Sequence, residues 1–323
     1  MIKPKVVVTR RWPAAVEAAL AESFDVTFNR DDRALTAEEL KDAVVGADAV
    51  LPTVTDRIDA QVLETGRPRT RILANFGVGF SHIDVEAARE RSITVTNTPD
   101  VLSECTADLA VMLMLMVARR ASPGEREVRA DAWSGWRPTH LLGSKVSGKT
   151  LGIIGFGRIG REVAKRAHFG FGMRVLAYNR SPIEAVALAE TGAEAVSSID
   201  DLLPQVDFLS LHCPGGAENR NLIDARRLGL MKPSACLVNT ARGEVVDERA
   251  LAQALWFETI AGAGLDVFCG EPKILPELRA CENAVLLPHL GSATVETREA
   301  MGFRVLENLQ DFFEGRPPRD RVA

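Results

Sequence analysis

The sequence predicts an α/β protein of two parallel-sheet units with a cleft between them, and three observations carry that prediction. The chain has 323 residues, a little over two domains at about 150 residues each, so each can bury its own core. Short apolar, β-rich runs alternate with amphipathic stretches, the pattern of strands joined by crossover helices in a parallel sheet. The alternation also occurs twice, as two series separated by an irregular stretch.

The first series places strands at residues 5–9, 24–28, 49–53, 71–76 and 93–96, with intervening helical stretches such as 36–45 and 84–91. A helix then opens near Ser103, a suitable N-cap, and is followed by an irregular stretch, 121–148, punctuated by Pro123, Gly124, Gly135, Pro138, Gly143 and Gly148. The second series places strands at 151–154, 174–178, 207–211, 235–239, 264–267 and 284–287. Residues 293–313 have helical periodicity and end at Gly315-Arg316-Pro317-Pro318, a stop signal. The expected organisation is therefore a discontinuous substrate-binding domain, 1–102 plus 293–323, and a dinucleotide-binding domain, 103–292, with a protruding arm at about 119–148. The units are expected to be Rossmann-like or flavodoxin-like.

Composition narrows the function classes. Hydrophobic residues at 46% and charged residues at 26% exclude wholesale disorder. Thirty-nine basic and 44 acidic residues give a net charge of −5, with no basic run to form a nucleic-acid groove. The longest apolar run, 109–118, is ten residues, half of the roughly 20 that cross a bilayer. The first residues lack the pattern of a secretory signal, so the cytoplasm is the expected compartment. Five scattered cysteines without a Cys-x-x-Cys pair support neither a disulfide framework nor a metal site.

The clearest motif opens the second series. Gly155-Phe156-Gly157-Arg158-Ile159-Gly160 follows the apolar run Leu151-Gly152-Ile153-Ile154 and precedes a predicted helix over 158–168. In that strand–turn–helix setting the spacing suits a dinucleotide, with a tight turn at Gly155, close approach to pyrophosphate at Gly157 and helix–strand packing at Gly160. Amides at the helix N-terminus would hold the phosphates. A site for NAD places a carboxylate at the end of the next strand, to accept from the ribose 2′-hydroxyl. Here Tyr178-Asn179-Arg180-Ser181 stands instead. Asn179 does not repel a 2′-phosphate, and Arg180 and Ser181 can hydrogen-bond one. NADP(H) is favoured, and NAD(H) is the other candidate.

Hydride transfer to a carbonyl also needs a proton donor, a cation for the substrate carboxylate and a group that keeps the donor protonated. Of five histidines, His289 lies just past an apolar strand, where ligands bind in parallel sheets. Glu271 and Arg242 follow neighbouring strands. A glutamate on His289 would keep the ring able to donate a proton, and the planar Arg242 fork suits the adjacent oxygens of a 2-keto acid. His212 also ends a strand but lacks an identifiable acid and cation, so His212-Cys213-Pro214 is read as a wall of the adenosine pocket. His82, His140 and His168 fall beside a helix, in the arm and on a helix.

Together these residues resemble the D-isomer-specific 2-hydroxyacid dehydrogenases, most closely their glyoxylate/hydroxypyruvate reductase branch. The resemblance spans essentially the whole chain: Asn75-Phe76-Gly77-Val78-Gly79-Phe80, Thr96-Asn97-Thr98-Pro99-Asp100, the glycine loop, 238–243, 262–267, Glu271-Pro272 and 288–294. The separations of 29 residues from Arg242 to Glu271 and 18 from Glu271 to His289 match that branch. It implies that Arg242 binds and polarises the keto acid, that His289 protonates the carbonyl oxygen and that Glu271 is its partner. Asp266 is similar to the residue that accepts from the nicotinamide carboxamide, and Thr106 to one that reaches the cofactor. Thr240, Ala241 and Gly291 are expected at the cofactor as well. The Val78 and Gly79 amides resemble the substrate-carboxylate cradle. The arm implies a homodimer, with Trp136 either entering the partner subunit's substrate pocket or anchoring the interface. The chain departs from the family at Cys269-Gly270, often acidic, and at Phe80-Ser81-His82, which leaves substrate preference open.

The expected activity is NADPH-preferring reduction of glyoxylate to glycolate and hydroxypyruvate to D-glycerate. The alternatives are a dehydrogenase for a bulkier D-2-hydroxy acid, or a dinucleotide-sensing binding module of the same fold.

Overall fold

The computed structural model describes residues 2–66 and 68–323. They divide into two compact units, one made of the chain up to Leu102 with Ala293–Ala323, the other of Ser103–Ser292.

Among the described residues the first unit holds β1 (Lys5–Val8), β2 (Asp25–Phe28), β3 (Ala49–Leu51), β4 (Ile72–Ala74) and β5 (Thr94–Thr96). They form one five-stranded sheet, ordered β2-β1-β3-β4-β5, with every pair parallel. This is the flavodoxin-like order, which reverses direction between β1 and β3. β3 and β4 are buried along their whole length, which is why they read as unbroken apolar runs rather than alternating ones. The helix Ala37–Gly46 begins with a complete capping box between Thr36 and Glu39. The C-terminal helix Val295–Phe313, capped by Thr294, crosses the helix Ala14–Ser23 at Gly302. A Cβ there would fall 2.6 Å from both Val16 methyls, so glycine permits the close approach.

The second unit holds β6 (Thr150–Ile154), β7 (Arg174–Tyr178), β8 (Ala193–Ala195), β9 (Phe208–Leu211), β10 (Cys236–Asn239), β11 (Gly262–Leu265) and β12 (Ala284–Leu286). Their order is β12-β11-β10-β9-β6-β7-β8, again all parallel. This is a Rossmann sheet with one added strand, and its switch point lies between β6 and β9. Successive side chains on β9 and β10 feed opposite layers, Phe208 and Val238 into one, Leu209 and Leu237 into the other. The helix Ser103–Ala118 lies close over β11 because Gly262 and Gly264 carry no side chain: a Cβ at Gly262 would meet Val117 at 2.6 Å, and one at Gly264 would meet Leu113 at 3.0 Å.

Three local features differ from expectation. β8 was not anticipated, because Ala193-Glu194-Ala195 is a three-residue edge strand with two exposed positions and no β-branched residue. The supposedly irregular stretch begins with a helix, Ala121–Arg129. Its Pro123 sits in the first turn, where a missing N–H costs nothing. The helix after the glycine loop is α-helical only over Arg158–Lys165 and widens to a π-turn at Arg166–Gly170.

Candidate active site

The glycine loop turns at Gly155, whose φ is +93°. A Cβ there would strike the Cys213 amide nitrogen at 2.5 Å, and one at Gly160 would strike the Gly155 carbonyl at 2.3 Å. These two glycines are fixed by the fold. Gly157 is different, because a Cβ would meet nothing within 4 Å. The open space is on the side a ligand would use. Gly157 is also the N-cap of the helix Arg158–Lys165, with no side-chain cap and no acidic residue in the first turn. A helix N-terminus of this kind suits an anion, and the donor set fits a dinucleotide pyrophosphate.

The end of β7 packs against this loop, where the Phe156 amide donates to Asn179 Oδ1 at 3.1 Å. Asn179 Nδ2 donates in turn to the Ser181 carbonyl at 3.0 Å. Arg180 projects outward and pairs with Glu218. On the other side of β6, at the end of β9, both His212 nitrogens are engaged, with Ser210 Oγ at 2.8 Å and Thr240 Oγ1 at 3.5 Å. Burial pushes His212 down to about 3, so it stays neutral. Burial likewise pushes the Cys213 thiol up to about 11. Neither is an acid–base group at working pH.

At β10, β11 and β12 three strand ends converge. Buried Asn239 folds the chain back after β10, its Nδ2 donating to the Arg242 carbonyl at 2.9 Å while its Oδ1 accepts from the Ala241 amide at 3.0 Å. That turn presents Arg242. Burial lowers the Arg242 pKa, opposed by the charges of Glu271 and Glu244, and a guanidinium stays protonated regardless. After β11, Glu271 Oε1 accepts from the Phe268 amide at 2.9 Å, and Oε2 meets His289 Nδ1 at 2.8 Å. Burial alone would raise the Glu271 carboxyl. The His289 hydrogen bond and charge, the Phe268 amide and Arg242 together hold it below the ordinary value.

His289 sits in a left-handed backbone conformation, φ +56°, uncommon for a residue with a Cβ. Asp266 secures it. The Asp266 carbonyl accepts from the His289 amide at 2.9 Å, and its two carboxylate oxygens accept from the Leu290 and Gly291 amides at 2.6 and 2.8 Å. Burial pushes the Asp266 carboxyl up, against those amides and the charge of His289. Thr106 Oγ1 donates to the Gly291 carbonyl at 3.1 Å. Asp266, expected at the cofactor, is thus also the brace of the His289 loop.

Sequence reading missed Glu248 and Glu244. Glu248 Oε1 accepts from the Cys269 amide at 2.6 Å and anchors the loop that carries Glu271. Burial, aided by the charge of Glu271, raises its pKa. Glu244 Oε1 accepts from the Gly216 amide at 2.5 Å, fixing the loop after β9. Both look like ordinary solvated acids in sequence, and only the folded backbone shows the amides they serve. In the first unit, Asn75 Nδ2 donates to the Gly77 and Gly79 carbonyls at 2.9 and 3.0 Å, and Asn97 Nδ2 to the Val78 carbonyl at 2.8 Å. With these carbonyls tied back, the Val78 and Gly79 amides have no acceptor among the described residues. Trp136 in the arm is 83% exposed. Among the described residues no group of metal-ligating side chains assembles, and no helix is long and apolar enough to cross a membrane.

A Rossmann sheet with a glycine loop and a His–Glu–Arg set at neighbouring strand ends defines a nicotinamide-dinucleotide-dependent oxidoreductase. The family described as "D-isomer specific 2-hydroxyacid dehydrogenase, NAD binding domain" matches residues 111–291. The glyoxylate reductase of Pyrococcus furiosus is 46% identical over 98% of this chain and 94% of its own length. That of Thermococcus litoralis is 45% identical over 99% and 97%. Among solved structures, the NADPH-dependent glyoxylate/hydroxypyruvate reductase of Sinorhizobium meliloti, in complex with NADP and malonate, superposes with a TM-score of 0.88 at 33% identity, covering 99% of this chain and 97% of that one. The glyoxylate reductase of Paecilomyes thermophila gives a TM-score of 0.87 at 32% identity, covering 100% and 99%. The chain belongs to the D-isomer-specific 2-hydroxyacid dehydrogenase family.

Proposed function

We propose that this enzyme reduces small 2-keto acids, glyoxylate to glycolate and hydroxypyruvate to D-glycerate, with NADPH preferred over NADH. The observation that carries the reading is the His289–Glu271 hydrogen bond at 2.8 Å, one strand end away from Arg242. Substrate assignment draws on the relatives, and cofactor preference on Arg180.

The cofactor-holding residues are Gly155, Phe156, Gly157, Arg158, Ile159 and Gly160 at the pyrophosphate, Asn179, Arg180 and Ser181 at the adenosine ribose, and the wall His212-Cys213-Pro214. Thr106, Thr240, Ala241, Asp266 and Gly291 complete the set toward the nicotinamide. When bound, the reduced nicotinamide supplies the hydride that converts the keto carbon to an alcohol. Arg242 binds the substrate carboxylate and draws electron density toward the carbonyl oxygen. In the first unit, Val78 and Gly79 are the amides proposed to cradle a substrate carboxylate. With Nδ1 committed to Glu271, His289 presents Nε2, which gives its proton to the carbonyl oxygen. The Glu271 carboxylate fixes the ring and offsets the positive charge it carries before transfer. Trp133, Trp136 and Leu142 on the arm are 55%, 83% and 67% exposed, which supports a homodimer formed through the arm, with Trp136 either entering the partner subunit's substrate pocket or anchoring the interface.

Loss of nicotinamide absorbance tests the reading, with glyoxylate, hydroxypyruvate, pyruvate and a bulky 2-keto acid each offered with NADPH and NADH. Rapid NADPH oxidation by the two small acids is expected. Turnover of only the bulky acid keeps the chemistry and overturns the substrate. Absence of turnover with any of them leaves the binding-module reading. His289→Asn should abolish turnover while cofactor still binds, and an active variant refutes the proton donor.

A further inference from the structure

An acid missing from one strand end is present on a neighbouring loop. The end of β7 carries Asn179 and Arg180 where an NAD site places a ribose-binding carboxylate. Because β7 and β9 flank β6, the loop after β9 comes up on the opposite side of the glycine loop from Arg180. Glu218 lies on that loop, in the short turn Ala217–Asn219, and its Oε2 accepts from Arg180 Nη1. The loop is anchored by the Gly216 amide on Glu244 Oε1 at 2.5 Å, the Asn219 side chain on the Pro214 carbonyl at 2.9 Å and the Asn221 amide on the Glu244 carbonyl at 2.8 Å. The Arg180 and Glu218 side chains are 73% and 75% exposed, so the pair is open to whatever occupies the adenosine ribose site.

We propose that Glu218 is a specificity-determining residue that competes with the cofactor's 2′-phosphate for Arg180. The inference rests on reading Arg180 as the 2′-phosphate ligand and deepens it. With NADH bound, the Arg180–Glu218 pair persists, and the carboxylate missing from β7 is supplied from across the site, facing a 2′-hydroxyl that can donate to it. With NADPH, the phosphate must draw Arg180 away from Glu218 and lie near a like charge. An exposed ion pair is weak, so the exchange proceeds, but it takes back part of the preference that Arg180 confers. Cofactor choice in this chain is a difference between two competing acceptors of one guanidinium.

The test compares wild type, Glu218→Gln, Arg180→Ala and the double variant, all full length and free of cofactor. Calorimetry measures binding of adenosine 2′,5′-bisphosphate and of AMP, which differ by the 2′-phosphate, and steady-state rates then give kcat/KM for NADPH and NADH. Glu218→Gln should tighten the bisphosphate by about three- to tenfold, leave AMP unchanged or weaker and raise the NADPH:NADH ratio by a similar factor. In the Arg180→Ala background the same change should have a much smaller effect. If Glu218→Gln shifts both ligands alike, or neither, while Arg180→Ala weakens only the bisphosphate, Glu218 is not a determinant and the Arg180 reading stands. If Arg180→Ala weakens both ligands equally, the Arg180 reading fails and the competition with it. Equal tightening in both backgrounds means plain repulsion and overturns the sharing of Arg180.

Discussion

Single residues in this site divide into those the fold requires and those a ligand requires. Gly155 and Gly160 meet backbone at contact distances that forbid a Cβ, whereas Gly157 faces open space. Gly160→Ala should therefore lower thermal stability by several degrees with weakened cofactor binding as a by-product, whereas Gly157→Ala should leave the melting temperature within about a degree and raise KM for the cofactor tenfold or more. Equal destabilisation by both would contradict this division. Glu271 gives a pH prediction. Its carboxyl is held below its ordinary value of 4.5 in the folded protein, so the stability it contributes is present above that value and is lost as pH falls through the depressed one. Glu271→Gln should flatten stability against pH on the acid side. The variant should also lower kcat for reduction by about tenfold or more, because the His289 ring loses the carboxylate that orients it at 2.8 Å. A kcat equal to that of wild type would remove Glu271 from the proton-transfer unit. Much of this scale was legible in the sequence, since Gly155, Gly160, Arg242, Glu271 and His289 carry type and spacing together. Asn239, Glu244 and Glu248 were not, because their work is to receive or donate hydrogen bonds with backbone groups whose positions only the folded chain defines.

At the scale of elements, strand identity was legible wherever burial on both faces made an apolar run, as in β3, β4, β9 and β10. It failed at β8, an edge strand of Ala193-Glu194-Ala195, because edge strands are not obliged to be apolar. Helix starts were legible through capping residues, and the Thr36–Glu39 box is complete. Thr36→Ala should cost about 1 kcal/mol of stability, read by denaturant unfolding, with kcat unchanged because the helix carries no site residue. The helix Ala121–Arg129 escaped because Pro123-Gly124 reads as punctuation when its place in a first turn is unknown. Gly262 and Gly264, opposite Val117 and Leu113, set how closely the Ser103–Ala118 helix approaches the sheet. Gly262→Val should destabilise by about 1–3 kcal/mol through overpacking and also weaken cofactor binding, because Thr106 rides on that helix.

At the scale of the molecule, the residues proposed to hold the dinucleotide all fall within the unit Ser103–Ser292. A saturating cofactor should stabilise that unit by about 2.7 kcal/mol at one hundred times Kd, so a calorimetric scan should show a cofactor-dependent shift in the transition of that unit. A scan indifferent to cofactor would mean that the pyrophosphate cradle has been misread. The Thr106 hydroxyl and the Gly291 carbonyl, 3.1 Å apart, join the first and last turns of the same unit across 185 positions of sequence. That hydrogen bond acts as a clasp. A polypeptide of residues 103–292 would start and finish at neighbouring points, the arrangement that lets one gene segment be grafted into the middle of another without either losing its own hydrophobic interior.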